Sequence, residues 1–195
     1  MRDEANRRRR VLIAAPARSD RQLEILRTEG HDVEVLEEPL HDNLVTALPT
    51  ADAVCLGILD CTAGMLESAP NLEIVARQGS GTDMVDTETA DRLGIWVTNT
   101  PGANSQAVAE FTLGAMIAGG RHLVASDARV KSGEWRHPSL FGPELKGRTV
   151  GLIGLGKIGR IVARLCSAFD MTVIGYDPYI PLDTWEATGV RQDRD

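Results

Sequence analysis

The sequence predicts an α/β protein built on parallel sheets, and three observations carry that expectation. Short β-branched runs alternate with helix-period stretches over residues 11–98. The alternation breaks at Thr100-Pro101-Gly102 and restarts at Thr149. The restart holds Gly154-Leu155-Gly156-Lys157-Ile158-Gly159 between an apolar strand and a helical stretch. Alternating βαβα order places helices on both faces of a parallel sheet.

Each element has its own signal. Val11–Ala15 reads as a strand, Asp20–Glu29 as a helix ended by Gly30, and Val33–Leu36 as the next strand. Leu40–Leu48 reads as a short helix closed by Pro49, Ala53–Leu56 as a buried strand, and Thr62–Ser68 as a helix ended before Pro70. Glu73–Arg77 is a strand running into the loop Gln78-Gly79-Ser80-Gly81. Val85–Arg92 is a helix capped by Gly94, and Ile95–Thr98 a strand. A helical stretch then runs from Asn104 to Lys131. Its apolar residues cover most of its circumference, which predicts a buried helix, of the kind often found between domains or subunits. Residues Ser132–Gly147 read as loop. Strand Thr149–Ile153, helix Lys157–Phe169 and strand Thr172–Tyr176 follow, with no further element expected.

At roughly 150 residues per domain, 195 residues make one large domain or two small ones. Hydrophobic residues at 43% and charged residues at 25% exclude collagen, a disordered chain and a disulfide scaffold. No apolar run approaches the ~18 residues of a membrane span. The net charge of −7 argues against a nucleic-acid surface. The one basic cluster, Arg7–Arg10, reads as a solvated tail. No apolar region of secretory type follows it, so a cytoplasmic location is the default expectation. Cys55, Cys61 and Cys166 form no C-x-x-C pair and have no histidine at ligand spacing. They read as small buried hydrophobes, with no metal site expected.

The glycine run is specific because of its surroundings. An apolar strand precedes it, a helix follows, and a second strand ends in Tyr176-Asp177. Asp177 lies 18 positions after Gly159, against the roughly 20 of a ribose-binding acid. Gly154 permits the strand-to-helix turn, Gly156 lets the backbone approach a pyrophosphate, and Gly159 lets helix and strand pack closely. The helix start at Lys157 and Ile158 offers N–H groups to the same pyrophosphate. Asp177 can accept from both ribose hydroxyls and would repel a 2′-phosphate. No arginine follows it, so NAD is expected over NADP. The rival reading is a ligand-free turn in which Asp177 only caps the loop beside Pro178. Gly79 and Gly81, flanking Ser80 after a strand, make a backbone nest suited to an anion.

The runs Arg77–Asp86, Val97–Ser105 and Ala109-Glu110 resemble the D-isomer-specific 2-hydroxyacid dehydrogenases. Gly133-Glu134-Trp135, Leu145-Lys146-Gly147 and Val150–Gly159 continue the pattern in order. The resemblance is strong over residues 70–190 and weak over 10–70, and the phosphoglycerate dehydrogenase branch is among the most similar. It implies a flavodoxin-like parallel-sheet substrate domain, residues 1–101, closing over the substrate. The first half of a Rossmann NAD-binding domain, residues 102–195, would follow. It implies hydride transfer between NAD and a small 2-hydroxy or 2-keto acid. Gly79, Ser80 and Gly81 would bind the substrate carboxylate, with Ser80 also beside the nicotinamide. It implies a homodimer through the 104–147 region.

Two departures from the family pattern matter. The phosphoglycerate branch carries an arginine where this chain reads Cys55-Leu56-Gly57, although Arg77 matches a second basic position of that branch. 3-Phosphoglycerate is therefore a doubtful substrate. The family's catalytic Arg, Glu and His also have no counterparts within residues 1–195. None of His31, His41, His122 or His137 stands in the matching motif, so no catalytic residue is assigned. The chain reads as an N-terminal portion of an enzyme. The rival readings are a non-enzymatic dinucleotide-sensing module and a degenerate fragment.

Overall fold

The computed structural model describes residues 7–15, 19–38, 40–135 and 137–192. The chain divides into two units, residues 1–103 and 104–195. In the first, β1 (Arg10–Ala14), β2 (Asp32–Val35), β3 (Ala53–Leu56), β4 (Ile74–Arg77) and β5 (Trp96–Thr98) form one parallel sheet in the order β2-β1-β3-β4-β5. This is the flavodoxin-like order. Helices α1 (Asp20–Thr28), α2 (His41–Ala47), α3 (Ala63–Glu67) and α4 (Thr87–Leu93) fill the crossovers. Along β1, Leu12 and Ala14 join a core with Leu44, Leu56, Leu66 and Val75, while Val11 and Ile13 pack with Leu23 and Leu26 on the other face. Burial on both faces is why the strand reads as an uninterrupted apolar run.

Side chains set the helix starts. The Ser19 hydroxyl accepts from Gln22 N–H at 3.2 Å, and the Asp86 carboxylate from Thr89 N–H at 2.9 Å. Asp86 therefore caps α4, and Val85, expected inside that helix, is a core residue before it. Pro49 lies inside a 3₁₀ turn, Leu48–Thr50, that extends α2, where its missing N–H costs no helical bond. The expected solvated tail is corrected. Arg10 opens β1 and pairs with Glu34, Arg9 pairs with Glu73 at 2.8 Å, and Arg7 pairs with Asp52. Parallel strands start side by side, so the acids that precede β3 and β4 meet the arginines that precede β1.

The second unit holds α5 (Ser105–Gly120), α6 (Leu123–Lys131), β6 (Thr149–Ile153), α7 (Lys157–Ala168), β7 (Thr172–Tyr176), α8 (Leu182–Thr188) and β8 (Arg191–Gln192). Its sheet is parallel, in the order β6-β7-β8. Val162, Ala163 and Cys166 of α7 bury against Leu155, Val173 and Ala109 of α5. The expected continuous helix 104–131 is broken at His122, which adopts left-handed backbone with φ 52°. The chain passes close there: a Cβ on Gly142 would overlap the Gly120 carbonyl oxygen. In α5 only Ser105 and Ala109 are buried, and Phe111 is 78% exposed. A short 3₁₀ turn, Pro138–Leu140, interrupts the expected loop.

The sequence reading also stopped one helix and one strand short. Trp185 of α8 is buried and donates through Nε1 to the Val190 carbonyl at 3.0 Å, which anchors β8 beside β7. The second strand of this sheet is thus central, and β6 lies at an edge. No helix among the described residues is long and apolar enough to cross a membrane.

Candidate functional site

The first candidate site lies at the carboxyl end of β4. Parallel order brings the ends of β3, β4 and β5 together, the usual place for a ligand in an open α/β sheet. Arg77 ends β4, and its guanidinium folds back over the loop that follows. Nη1 donates to the Gln78 carbonyl at 2.7 Å and Nη2 reaches Met84 Sδ at 3.3 Å, while Nε is buried without a partner. No carboxylate among the described residues pairs with Arg77. This cation therefore differs from Arg7, Arg9 and Arg10, which are all ion-paired.

The loop Gln78–Gly81 is tied down by the segment after β5. Thr100 N–H donates to the Gly79 carbonyl at 2.9 Å, and Asn99 Nδ2 to the Ser80 carbonyl at 2.8 Å. The Ser80 hydroxyl donates to the Thr100 carbonyl and accepts from Gly102 N–H, both at 3.3 Å. The carbonyls of Gly79 and Ser80 are thus held by the chain itself. Space at the two glycines is tight: a Cβ on Gly79 would lie 3.0 Å from Arg77 Nη1, and one on Gly81 3.1 Å from Asp83 Oδ1, so either side chain would have to shift. Asn99 and Thr100 are site-forming residues that strand and helix patterns did not single out. Their signals were the Thr100-Pro101-Gly102 break and the run Val97–Ser105 in which both lie.

The second candidate site is the turn from β6 to α7. Gly154 has φ 91°, a conformation that side chains disfavour. A Cβ on Gly159 would overlap the Gly154 carbonyl oxygen. Both glycines are therefore required by the fold of the turn. Gly156, the N-cap of α7, is different: a Cβ there meets nothing within 4 Å. Its bareness leaves a cradle beside the first turn of α7, where Lys157 and Ile158 lie. The first bond of that helix is from Arg160 N–H to the Gly156 carbonyl at 3.1 Å. The N–H groups before it face out of the helix end, where its dipole favours an anion.

Asp177 follows β7 directly and closes the site. Its Oδ2 accepts from Leu155 N–H at 2.8 Å and its Oδ1 from Tyr179 N–H at 2.9 Å. The N–H groups of Tyr179 and Leu155, with that of Ile180, hold its carboxyl below the usual aspartate range. The group is thus a carboxylate at neutral pH. A carboxylate offers about four lone-pair directions, so these three N–H bonds leave room for about one hydroxyl donor. Burial raises all three thiols, Cys61 to about 11, so they are inert. His31 accepts from Arg9 N–H, at the opposite end of the sheet from the Gly79–Gly81 loop.

The chain is thus a two-unit α/β protein with a small-residue loop after β4 and a glycine turn closed by an acid. The family model for the D-isomer specific 2-hydroxyacid dehydrogenase catalytic domain matches residues 11–188, and the chain belongs to that family. It is 35% identical over 183 residues to a D-3-phosphoglycerate dehydrogenase of Archaeoglobus fulgidus, covering 93% of this chain and 34% of that protein. It is 38% identical over 177 residues to a hydroxypyruvate reductase of Thermotoga maritima, covering 85% of this chain and 58% of the relative. An acyclic imino acid reductase, solved with NADPH and D-Arg, superposes with a TM-score of 0.80 at 25% identity. That match covers 95% of this chain and 60% of the other. The chain thus spans between a third and three-fifths of the length of these relatives.

Proposed function

We propose that this chain carries the substrate-carboxylate loop and the dinucleotide site of an NAD-dependent oxidoreductase acting on a small D-2-hydroxy acid, or on the 2-keto acid in reverse. The observation that carries the proposal is the division of labour among the three glycines. Gly154 and Gly159 have reasons inside the chain, whereas Gly156 has none unless a ligand backbone comes close to it. Gly154, Gly156, Lys157, Ile158 and Gly159 would hold the pyrophosphate, and Asp177 a ribose hydroxyl. A bound NAD would supply or accept the hydride. The carboxylate of Asp177 favours NAD over a 2′-phosphorylated cofactor by like-charge repulsion.

In the first unit, Gly79, Ser80 and Gly81 would receive the substrate carboxylate on loop N–H groups, with Arg77 as the nearby cation. The buried, unpartnered Nε of Arg77 supports an anionic ligand at this end of the sheet. The neighbouring strand ends in Leu56-Gly57 without a second cation, which favours hydroxypyruvate or glyoxylate over 3-phosphoglycerate. Exposed apolar residues on α5 and α6 support a homodimer through the 104–147 region.

Fluorescence titration of the 195-residue chain with NADH tests the central claim. Saturable binding is expected, lost in Gly156→Val because a side chain there would occupy the cradle. Equal binding by wild type and Gly156→Val would overturn the proposal.

A further inference from the structure

We propose that Asp177 is a positioning residue for the glycine turn, setting the shape of the pyrophosphate cradle before any ligand arrives. The cradle's use for a dinucleotide rests on the function proposed above. The turn passes through Leu155, which lies between Gly154, whose N–H donates to the Tyr176 carbonyl at 2.8 Å, and Gly156, whose carbonyl accepts from Arg160 N–H. Leu155 is fixed at two points. Its side chain is fully buried beneath β7, where a Cβ on Gly175 would come to 3.1 Å of Leu155 Cδ1. Its N–H is held by Asp177 Oδ2 at 2.8 Å. The other carboxylate oxygen takes Tyr179 N–H at 2.9 Å, so one side chain clamps the β6–α7 turn to the segment leaving β7. The N–H bonds that keep this carboxyl ionised are the same bonds that make the clamp.

Without the clamp, the Leu155–Gly156 link is left to sample more backbone conformations, and a ligand must order it as it binds. An acid that only accepted ribose hydroxyls would discriminate between cofactors and leave the empty turn untouched. A clamp acts on every ligand of the cradle and is present in the empty protein. The two roles therefore separate experimentally.

Amide hydrogen exchange of the ligand-free chain, read by NMR, gives the direct test. In Asp177→Ala, exchange at Leu155 should quicken by at least ~10-fold, the loss of a charge-assisted bond. The β6 amides Gly151–Ile153 should keep their protection and report that the unit is folded. Should Asp177→Ala fail to fold, Asp177→Asn, the same size with one acceptor oxygen, decides through an exchange rate at Leu155 faster than wild type. Binding gives the second arm: Asp177→Ala should weaken NADH and NADPH together, each by about 10-fold or more, with the larger loss for NADH. Unchanged exchange at Leu155, or NADPH binding as strong as or stronger than wild type, would overturn the clamp. NADH binding by Gly156→Val at wild-type strength would instead overturn the dinucleotide reading and leave the exchange result standing.

Discussion

Asp177 and the three turn glycines have separable costs. Gly159→Ala forces a methyl into the Gly154 carbonyl, an overpacking that typically costs ~1–3 kcal/mol. Gly156→Val meets no atom of the chain, so its thermal midpoint should stay near wild type while NADH binding is lost. Differential scanning fluorimetry beside the titration checks both, and a strongly destabilised Gly156→Val would mean that the fold itself needs this glycine. Asp177 adds a pH dependence whose sign is fixed. Its folded carboxyl ionises below the unfolded value of about 3.9, so it contributes stability above that pH and loses it as pH falls through the folded value. Wild type should exceed Asp177→Asn in melting temperature at pH 6, and the gap should close in strong acid; a gap that persists there would disprove the linkage. The glycine spacing was legible in the sequence because each glycine answers a local backbone demand. The Leu155–Asp177 bond was not, because it joins residues brought together only when β6 and β7 pair. The ties from Asn99 and Thr100 to the Gly79–Gly81 loop escaped for the same reason, since they depend on the pairing of β4 with β5.

At the scale of elements, the sequence reading was accurate where helices and strands bury a periodic face. It erred where composition outvoted geometry. The stretch Asn104–Lys131 reads as one buried helix because its apolar residues encircle it. In the structure, backbone crowding at Gly120 and the left-handed His122 divide it, and α5 meets its own unit mainly through α7. Phe111, 78% exposed, and Val124, 79% exposed, are left in water. The helix α8 and strand β8 escaped because they are short and follow two prolines, while the burial of Trp185 that anchors them is a tertiary property. β6 lies at one edge of the second sheet, and Ile153 on it is 94% exposed. These exposures support self-association. Phe111→Glu with Val124→Glu should shift the chain toward monomer in analytical ultracentrifugation. Ile153→Lys should reduce aggregation on heating without changing the oligomer. A double variant that sediments like wild type would refute the assignment of the 104–147 region as the dimer surface.

For the whole molecule, each sheet carries one candidate site: one displays a small-residue loop beside Arg77, the other a glycine turn hydrogen-bonded to an acid. Binding and turnover demand different residues. Reduction of a 2-keto acid needs a group that delivers a proton to the substrate oxygen as hydride arrives, a contribution typically worth ~10²–10⁴ in rate. The candidate site of the first unit offers Ser80, whose hydroxyl is engaged with Thr100 and Gly102, and the guanidinium of Arg77. The second offers Asp177, an ionised acceptor with no proton to give at neutral pH. The thiols are buried and their ionisation is pushed upward. Residues 1–195 should therefore bind NADH yet give no measurable NADH oxidation with hydroxypyruvate, glyoxylate or 2-ketoglutarate. Arg77→Gln should leave NADH affinity intact and weaken any effect of hydroxypyruvate on the chain's thermal midpoint. Spectrophotometric assay across protein concentrations settles the point. Turnover that rises in proportion to purified chain, and falls with Gly156→Val, would show that these two sites already contain the proton donor.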